Sequence, residues 1–243
     1  MVHPLQKEAN KMDPTQMNVL EQLIYYYSQN GSYVWSQFLR HFLMSIYGVL
    51  FAAIIAIPIG FWISRHHKLA SWVIGAANVL QTVPSLAMLS IVMLAFGLGS
   101  TTVVVTIFFY SLLPILKNTY AGVQSVDDSL LDTGKGMGMT KGQVTLMIEL
   151  PLALSVIMGG IRNALVVGIG IGAIGTFIGA GGLGDIIARG VNATNGGAII
   201  LAGAIPTALM AVIADIILGL IEKRLDPTQT KRFFETKTAV PKK

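Results

Sequence analysis

Residues 130–153 read LLDTGKGMGMTKGQVTLMIELPLA and set Asp132, Lys135, Lys141 and Glu149 among four glycines, in a chain that is 53% apolar. Such a segment could cradle a phosphate on its backbone N–H groups, or it could be a handle for a partner protein. The phosphate loop G-x-x-x-x-G-K-[ST] needs Lys and Ser or Thr directly after its last glycine. GKGMGMTK never supplies that spacing, and no strand of the required type precedes it. A second glycine pattern, GIGAIG at 170–175, does match G-x-G-x-x-G, but it lies inside a long apolar run. The acidic residue expected about 20 positions further on is missing; Asp185 comes ten residues after Gly175. The same region gives the pairs Gly168/Gly172 and Gly175/Gly179, whose small-xxx-small spacing suits close helix packing in lipid.

Arg162 and Asp215 are the two charges inside long apolar runs. Ionisable groups there are costly and are usually paired or functional. Their depths fit an intramembrane pair, Arg162 about 15 Å into its run at 1.5 Å per residue and Asp215 near the end of the last run. The alternative is a polar point on a translocation path, with Asn163 beside it. Pro84, in LQTVPSLAML, falls in the middle of another run and removes a backbone hydrogen bond, so it kinks or breaks the helix. Gln81, Thr82 and Ser85 are placed to satisfy the freed groups, and Gln81, Pro84 and Ser85 are candidate path or gate residues. The four histidines, His3, His41, His66 and His67, are expected outside the span interiors, which leaves no nucleophile–base or metal constellation there. The chain has no cysteine, so disulfides and thiolate metal sites are excluded.

The elements that carry these residues follow from the charge distribution. Only 12% of the 243 residues are charged, about half the fraction of a soluble domain, and the mean hydropathy is +0.66. The 48 residues between Lys68 and Lys117 include no Asp, Glu, Lys, Arg or His. A span needs roughly 20 apolar residues, and five are expected: Phe42 to Ile63, Ser71 to Phe96, Thr101 to Leu116, Pro151 to Ile178 and Ala198 to Ile221. GLGS at 97–100 is the turn between the second and third. Residues 19–40, rich in Tyr and Trp, read as an interfacial helix. Residues 1–18 lack the apolar core of a cleavable signal peptide.

Basic residues set the orientation. One side holds Arg65, Lys68, Lys117, Lys135, Lys141, Lys223, Arg224, Lys231, Arg232, Lys237, Lys242 and Lys243; the other holds only Lys7, Lys11, Arg40 and Arg189. The amino terminus is therefore expected outside and the carboxyl terminus in the cytoplasm. This gives an outer segment over 1–41, a transmembrane region over 42–221 with a cytoplasmic loop over 117–150, and a basic tail over 222–243. The net charge of +5 reflects this topology, and nucleic acid is not an expected partner.

The polar loop resembles the cytoplasmic EAA loop of ATP-binding-cassette importer permeases, E-A-A-x3-G-x9-I-x-L-P. Asp132, Thr133 and Gly134 stand for the triplet, Gly138 and Ile148 keep their spacing, and Leu150-Pro151 completes the motif; Asp-Thr-Gly departs from Glu-Ala-Ala. Longer stretches (RHFLMSIYGVLFAA, YSLLPILKNTYAG, GTFIGAGGLGDII) are similar to membrane subunits of osmoprotectant importers of the OpuC type. The resemblance implies an all-α polytopic fold, the transmembrane domain of a type I importer. Its implied cargo is glycine betaine, carnitine or choline. It also implies ATPase subunits carrying ATP and Mg, a second permease that is identical or related, an external lipid-anchored binding protein, and a bacterial cell membrane. This chain itself would bind no cofactor and perform no bond chemistry. Asp132 to Met147, including Met139, would form the coupling helices, with Gly138 as the turn between them and Pro151 opening the next span. Two other readings are open at this level: a permease for another small solute, and a secondary transporter driven by an ion gradient. A single intramembrane acid and an odd number of spans count against the second.

Overall fold

The computed structural model describes residues 18–225; the calls on Lys7, Lys11, His3 and the tail beyond Leu225 lie outside the described residues. The helices in chain order are α1 (Val19–Ser64), α2 (His67–Thr82), α3 (Ser85–Phe96), α4 (Ser100–Gln124), α5 (Asp128–Gly136), α6 (Lys141–Val144), a π-helical turn (Thr145–Glu149), α7 (Leu150–Ile174), a 3-10 turn (Gly175–Ile178), α8 (Leu183–Val191) and α9 (Gly197–Leu225). By length and composition, α1, α4, the run from Lys141 to Ile178 and α9 can each cross a membrane, and α2 with α3 makes a fifth if the bent pair is one span.

The bend between α2 and α3 is 100°, a break where the sequence allowed either a break or a kink. Val83 is extended, with ψ 129°, because the ring of a following proline disfavours the helical conformation. Despite the bend, the pair travels the length of α4. His67 Nδ1 lies 3.3 Å from the Tyr120 hydroxyl, and Gln81 Nε2 donates to the Tyr110 carbonyl at 2.9 Å. Gly97 and Gly99 then lead directly into Ser100, the first residue of α4. Moving from Tyr120 to Ser100 is about 30 Å at 1.5 Å per residue, the thickness of a hydrocarbon core.

Glycines set how closely the long helices approach. α1 and α4 run parallel: a Cβ on Gly48 would lie 2.5 Å from Ile107 Cγ2, and one on Gly60 would lie 2.6 Å from Thr119 Cβ. α7 runs antiparallel to α4, with Gly160 against Asn118 and Gly168 against Ile107. In lipid, where apolar burial gives no net drive, such contacts carry association through dispersion. Gly168, Gly172 and Gly175 each meet a side chain of another helix, whereas Gly179 has φ +69° and forms a turn. The Gly175/Gly179 pair is thus not a packing pair.

Other expectations about boundaries are refined. α1 begins at Val19 and is kinked at Asn30, where the backbone is non-helical, and the part after the kink passes residue 41 without a break, so the second half of the interfacial segment shares its helix with the first span. His41 consequently lies within that helix, fully buried; its Nε2–H donates to the Ile169 carbonyl at 2.8 Å. The missing side chain of Gly172 makes its room, since a Cβ there would come within 2.6 Å of Nε2. Pro151 stands in the first turn of α7, as expected, although helical backbone already runs from Lys141 and the Leu150 N–H bonds to Thr145 O in the wider π pattern. That wider turn accommodates a residue with no N–H to give. α9 also extends to Leu225, past the residue 222 at which the tail was drawn.

The glycine contacts give a test. Gly48→Ala and Gly60→Ala should each destabilise the purified protein by about 1–3 kcal/mol through overpacking. Gly75→Ala, where nothing lies within 4 Å, should leave the thermal midpoint in detergent unchanged or higher. Equal midpoints for all three would refute this account of the α1–α4 approach.

Candidate functional site

The chain after α4 turns at Asp127, whose carboxylate accepts from the Ser129 N–H at 2.9 Å and caps α5. That backbone donor holds the Asp127 carboxyl below the usual carboxylate range. On α5, Asp132 is exposed and accepts from Lys135 Nζ at 3.0 Å, and Thr133 donates to the Ser129 carbonyl. Gly134 is buried, because a Cβ would sit 2.7 Å from Ile148 Cδ1 and 3.2 Å from Met139 Sδ. The motif's third and ninth-spaced positions therefore meet: α5 lies on the π turn through Gly134 and Ile148. Gly138 has φ +80° with open space around it. Its glycine is required by backbone conformation and not by crowding. Thr140 then caps α6 in a capping box with Gln143.

This arrangement leaves Leu130, Met137, Leu146 and Met147 exposed, the last three at 65–71%. They belong to a short, polar, capped segment rather than to the faces of the long apolar helices. Grouped exposed apolar side chains on such a segment mark a protein contact. Sequence reasoning named Met139 from the motif, but Met139 is half-buried and braces Gly134; Met137 is the more exposed methionine.

At the same end of the bundle, Arg65 follows the last turn of α1. Its Nη2 donates to Thr145 Oγ1 and to Glu149 Oε2, both at 2.6 Å. The Glu149 side chain is only 9% exposed. Gln124, the last residue of α4, donates to the Ser64 carbonyl at 2.8 Å. None of these contacts was foreseen, since Arg65 and Glu149 are separated by 84 residues. The only available signal was their common charge-rich setting at the ends of apolar runs.

The structure pairs Arg162 on α7 with Asp215 on α9. Nε donates to Oδ1 and Nη2 to Oδ2, the latter at 2.6 Å, in bidentate geometry. Glu222 adds a third member, 3.4 Å from Nη1. It follows Asp215 by two helical turns and so shares its face, a signal lost when the last span was ended at Ile221. Gly219 between them leaves space for the guanidinium, 3.2 Å from where its Cβ would be. Arg162 and Asp215 keep 37% and 38% of their side-chain surface in the single chain, so the pair is not sealed within it.

The remaining candidates lie elsewhere. Gln81 bonds α4, Ser85 opens α3, and the Tyr110 hydroxyl donates to the Val83 carbonyl freed by Pro84. Thr82 donates to the Val79 carbonyl at 2.7 Å. Asn163 is exposed on α7. These residues and Arg162 are not gathered into one cavity. A groove of about 790 Å³ lies between α1 and α4 and is lined by Tyr47, Phe51, Phe96, Phe108 and Phe109 with Arg40 and Ser100 at one end. Among the described residues, no group of three or more His, Asp or Glu side chains is arranged to hold a metal ion.

Asp215→Asn leaves the guanidinium with Glu222 alone and should lower both the yield of assembled protein and its transport activity, while Asp215→Glu retains part of each. Normal assembly and transport in Asp215→Asn would show that the pair does not matter.

Residues 48–227 match the family described as "Binding-protein-dependent transport system inner membrane component". Over 216 residues the chain is 66% identical to the carnitine transport permease protein OpuCD of Listeria monocytogenes serotype 1/2a (strain 10403S), covering 89% of this chain and 97% of that one. It is 63% identical to the glycine betaine/carnitine/choline transport system permease protein OpuCD of Bacillus subtilis (strain 168), over 89% of this chain and 94% of that one. Among solved structures, a chain of the MetNI methionine ABC transporter in an inward-facing conformation superposes with a TM-score of 0.72 at 19% identity, covering 79% of this chain and 95% of that chain. At that identity the likeness concerns the fold, and the fold is the transmembrane domain of a type I importer. With the family pattern over most of its length, with close bacterial permease relatives, and with the helices to span a membrane several times, this chain belongs to the binding-protein-dependent transport system inner membrane components.

Proposed function

We propose that the chain is the permease subunit of an ATP-driven importer of quaternary ammonium osmoprotectants, glycine betaine, carnitine and choline among them. The observation that carries the coupling half of this reading is the α5–α6 segment. It is a capped helix pair with a left-handed glycine between its members, seated on a transmembrane helix through Gly134 and Ile148, with an exposed apolar surface. An amphipathic helix of this kind fits a groove on a partner, and the partner is an ATPase subunit holding ATP and Mg. The cargo half rests on the relatives. The two compared above are similarly close to this chain, yet their names differ in the solutes they move. That difference fits solute choice by an external, lipid-anchored binding protein, where an aromatic cage can select the quaternary ammonium by cation–π attraction.

The orientation follows from the basic residues. The α5–α6 end, with Arg65, Lys117, Lys135 and Lys141, faces the cytoplasm, and α8 with the residues before 42 faces outside; the tail from 222 is cytoplasmic. The course of α2–α3 along α4 supports reading the bent pair as a crossing, and that reading puts the two termini on opposite sides. A second permease, identical or related, completes a two-fold or pseudo-two-fold assembly with the path between the two chains. Gln81, Pro84, Ser85 and Asn163 remain the candidates on that path, and the exposed surface of the Arg162–Asp215 pair is its polar point. When the ATPases close on ATP, the two coupling segments approach, the inner ends of the spans follow, and the outer side opens for the loaded binding protein. Hydrolysis returns the inward-open state. The solute is moved unchanged, so this chain contributes binding surfaces and movement but no catalysis.

The test is uptake into vesicles holding the assembled complex. Uptake of labelled glycine betaine, carnitine or choline should need both ATP and the binding protein, and should persist when ionophores collapse the ion gradients. Gly138→Leu, which strains the left-handed turn without touching a neighbour, should reduce uptake by on the order of tenfold while the complex still forms. Uptake that survives without ATP and disappears with the ion gradient would make the chain a secondary transporter. Unaltered coupling in Gly138→Leu would remove the role of the loop.

A further inference from the structure

We propose that Arg65 is the positioning residue through which movement of the α5–α6 segment reaches α1 and α4. This deepens the coupling role proposed above and rests on it. The cytoplasmic segment and the first transmembrane helix are remote in sequence, and a transporter must move them together.

Movement of α5 enters the π turn, because α5 rests on it where Gly134 meets Ile148. A π turn is a place where a helix can change pitch locally, and Pro151 follows it closely with no N–H to reinforce the ladder. Left alone, this turn would absorb a push as twist. Arg65 spans it instead. One nitrogen, Nη2, holds Thr145 at the first position of the turn and Glu149 at the last, both at 2.6 Å. The two N–H groups of that one nitrogen serve one end of the turn each, and the guanidinium stays charged throughout the working pH range.

The grip matters because of the carboxylate's surroundings. An exposed ion pair is worth little, and Arg65 itself is 44% exposed. The Glu149 side chain, however, is 9% exposed, and pulling a charge-paired partner away from a nearly buried carboxylate is strongly unfavourable. Arg65 therefore follows Glu149 when the turn moves. Arg65 caps α1, and the preceding carbonyl, that of Ser64, accepts from Gln124 at the end of α4. Displacement of one turn thus pulls the cytoplasmic ends of two parallel helices at one point.

The experiment uses the full complex, with ATPase, both permeases and binding protein, in vesicles where ATP hydrolysis and solute uptake are measured together. Arg65→Glu and Glu149→Arg should each assemble and hydrolyse ATP, but move about fivefold less solute per ATP or lower. The double variant Arg65→Glu/Glu149→Arg should recover most of the ratio. Arg65→Gln, which keeps a donor but no charge, should give an intermediate ratio and serves if a charge reversal prevents assembly. The proposal is overturned if the single variants keep the wild-type ratio. It is also overturned if uptake and hydrolysis fall in proportion to lost complex, or if the assembled double variant recovers nothing. No ATP-dependent uptake by the wild-type complex would instead bring down the coupling reading itself, before any variant is compared.

Discussion

Hydrocarbon offers no hydrogen-bond partner to a peptide group or a charge, so every polar atom taken into the bilayer must find its partner within the protein. The bundle is arranged around that requirement. Where Pro84 breaks a crossing, Tyr110 bonds the freed Val83 carbonyl and Gln81 bonds the Tyr110 carbonyl in return. Where a histidine sits in the bundle, the Ile169 carbonyl takes its proton-bearing nitrogen and Gly172 makes room for the ring. Where a guanidinium enters α7, two carboxylates on one face of α9 receive it. These departures from an apolar helix are matched by partners on other helices, although His41 Nδ1 and Ser111 Oγ are buried without one, and the pairings help to fix which helices are neighbours.

Backbone satisfaction also shapes the α5–α6 end. A loop joining α4 to the next crossing could have been irregular, since water would satisfy it. Instead it folds into capped helices that continue through a π turn into α7 without a gap. The run from Lys141 to Ile178 is one helical body of 38 residues. Its start at α6 is thus joined to its far end by helical backbone throughout. Glycine is required at Gly138 by conformation and at Gly134 by contact. The two glycines of the motif thus serve different ends, one turning the chain and the other seating α5 on the rod.

Much of this could be read from the chain. The long uncharged stretches located the crossings, and Gly97–Ser100 marked the turn before α4. The spacing from Asp132 to Pro151 singled out the polar segment that folds as α5, α6 and the π turn. Boundaries were less legible. Residues 19–40 looked like a separate surface helix because their aromatic and polar side chains differ from those of the apolar run after them. A helix ends only where its backbone hydrogen bonds end, and nothing at residue 41 interrupts them. For the same reason His41 seemed to lie at an edge and is in fact buried. Pro151 was legible as a helix start because proline favours the first turn, and it stands there in α7; the π turn that joins α7 to α6 left no comparable signal.

What the sequence determined by itself is what depends on one-dimensional pattern: several apolar stretches long enough to cross a membrane, an uneven distribution of basic residues and a motif of fixed spacing. Solvent preference and backbone stereochemistry act on neighbouring residues, so they leave a trace in the order of the chain. What only the tertiary structure decided is which distant residues meet. Arg65 with Glu149, Glu222 joining Arg162 and Asp215, and Gly172 with His41 are contacts between helices far apart in sequence. Each depends on the rotation and register of two helices at once. A residue's type states that it needs a partner, whereas the packing of the other helices chooses which partner it finds.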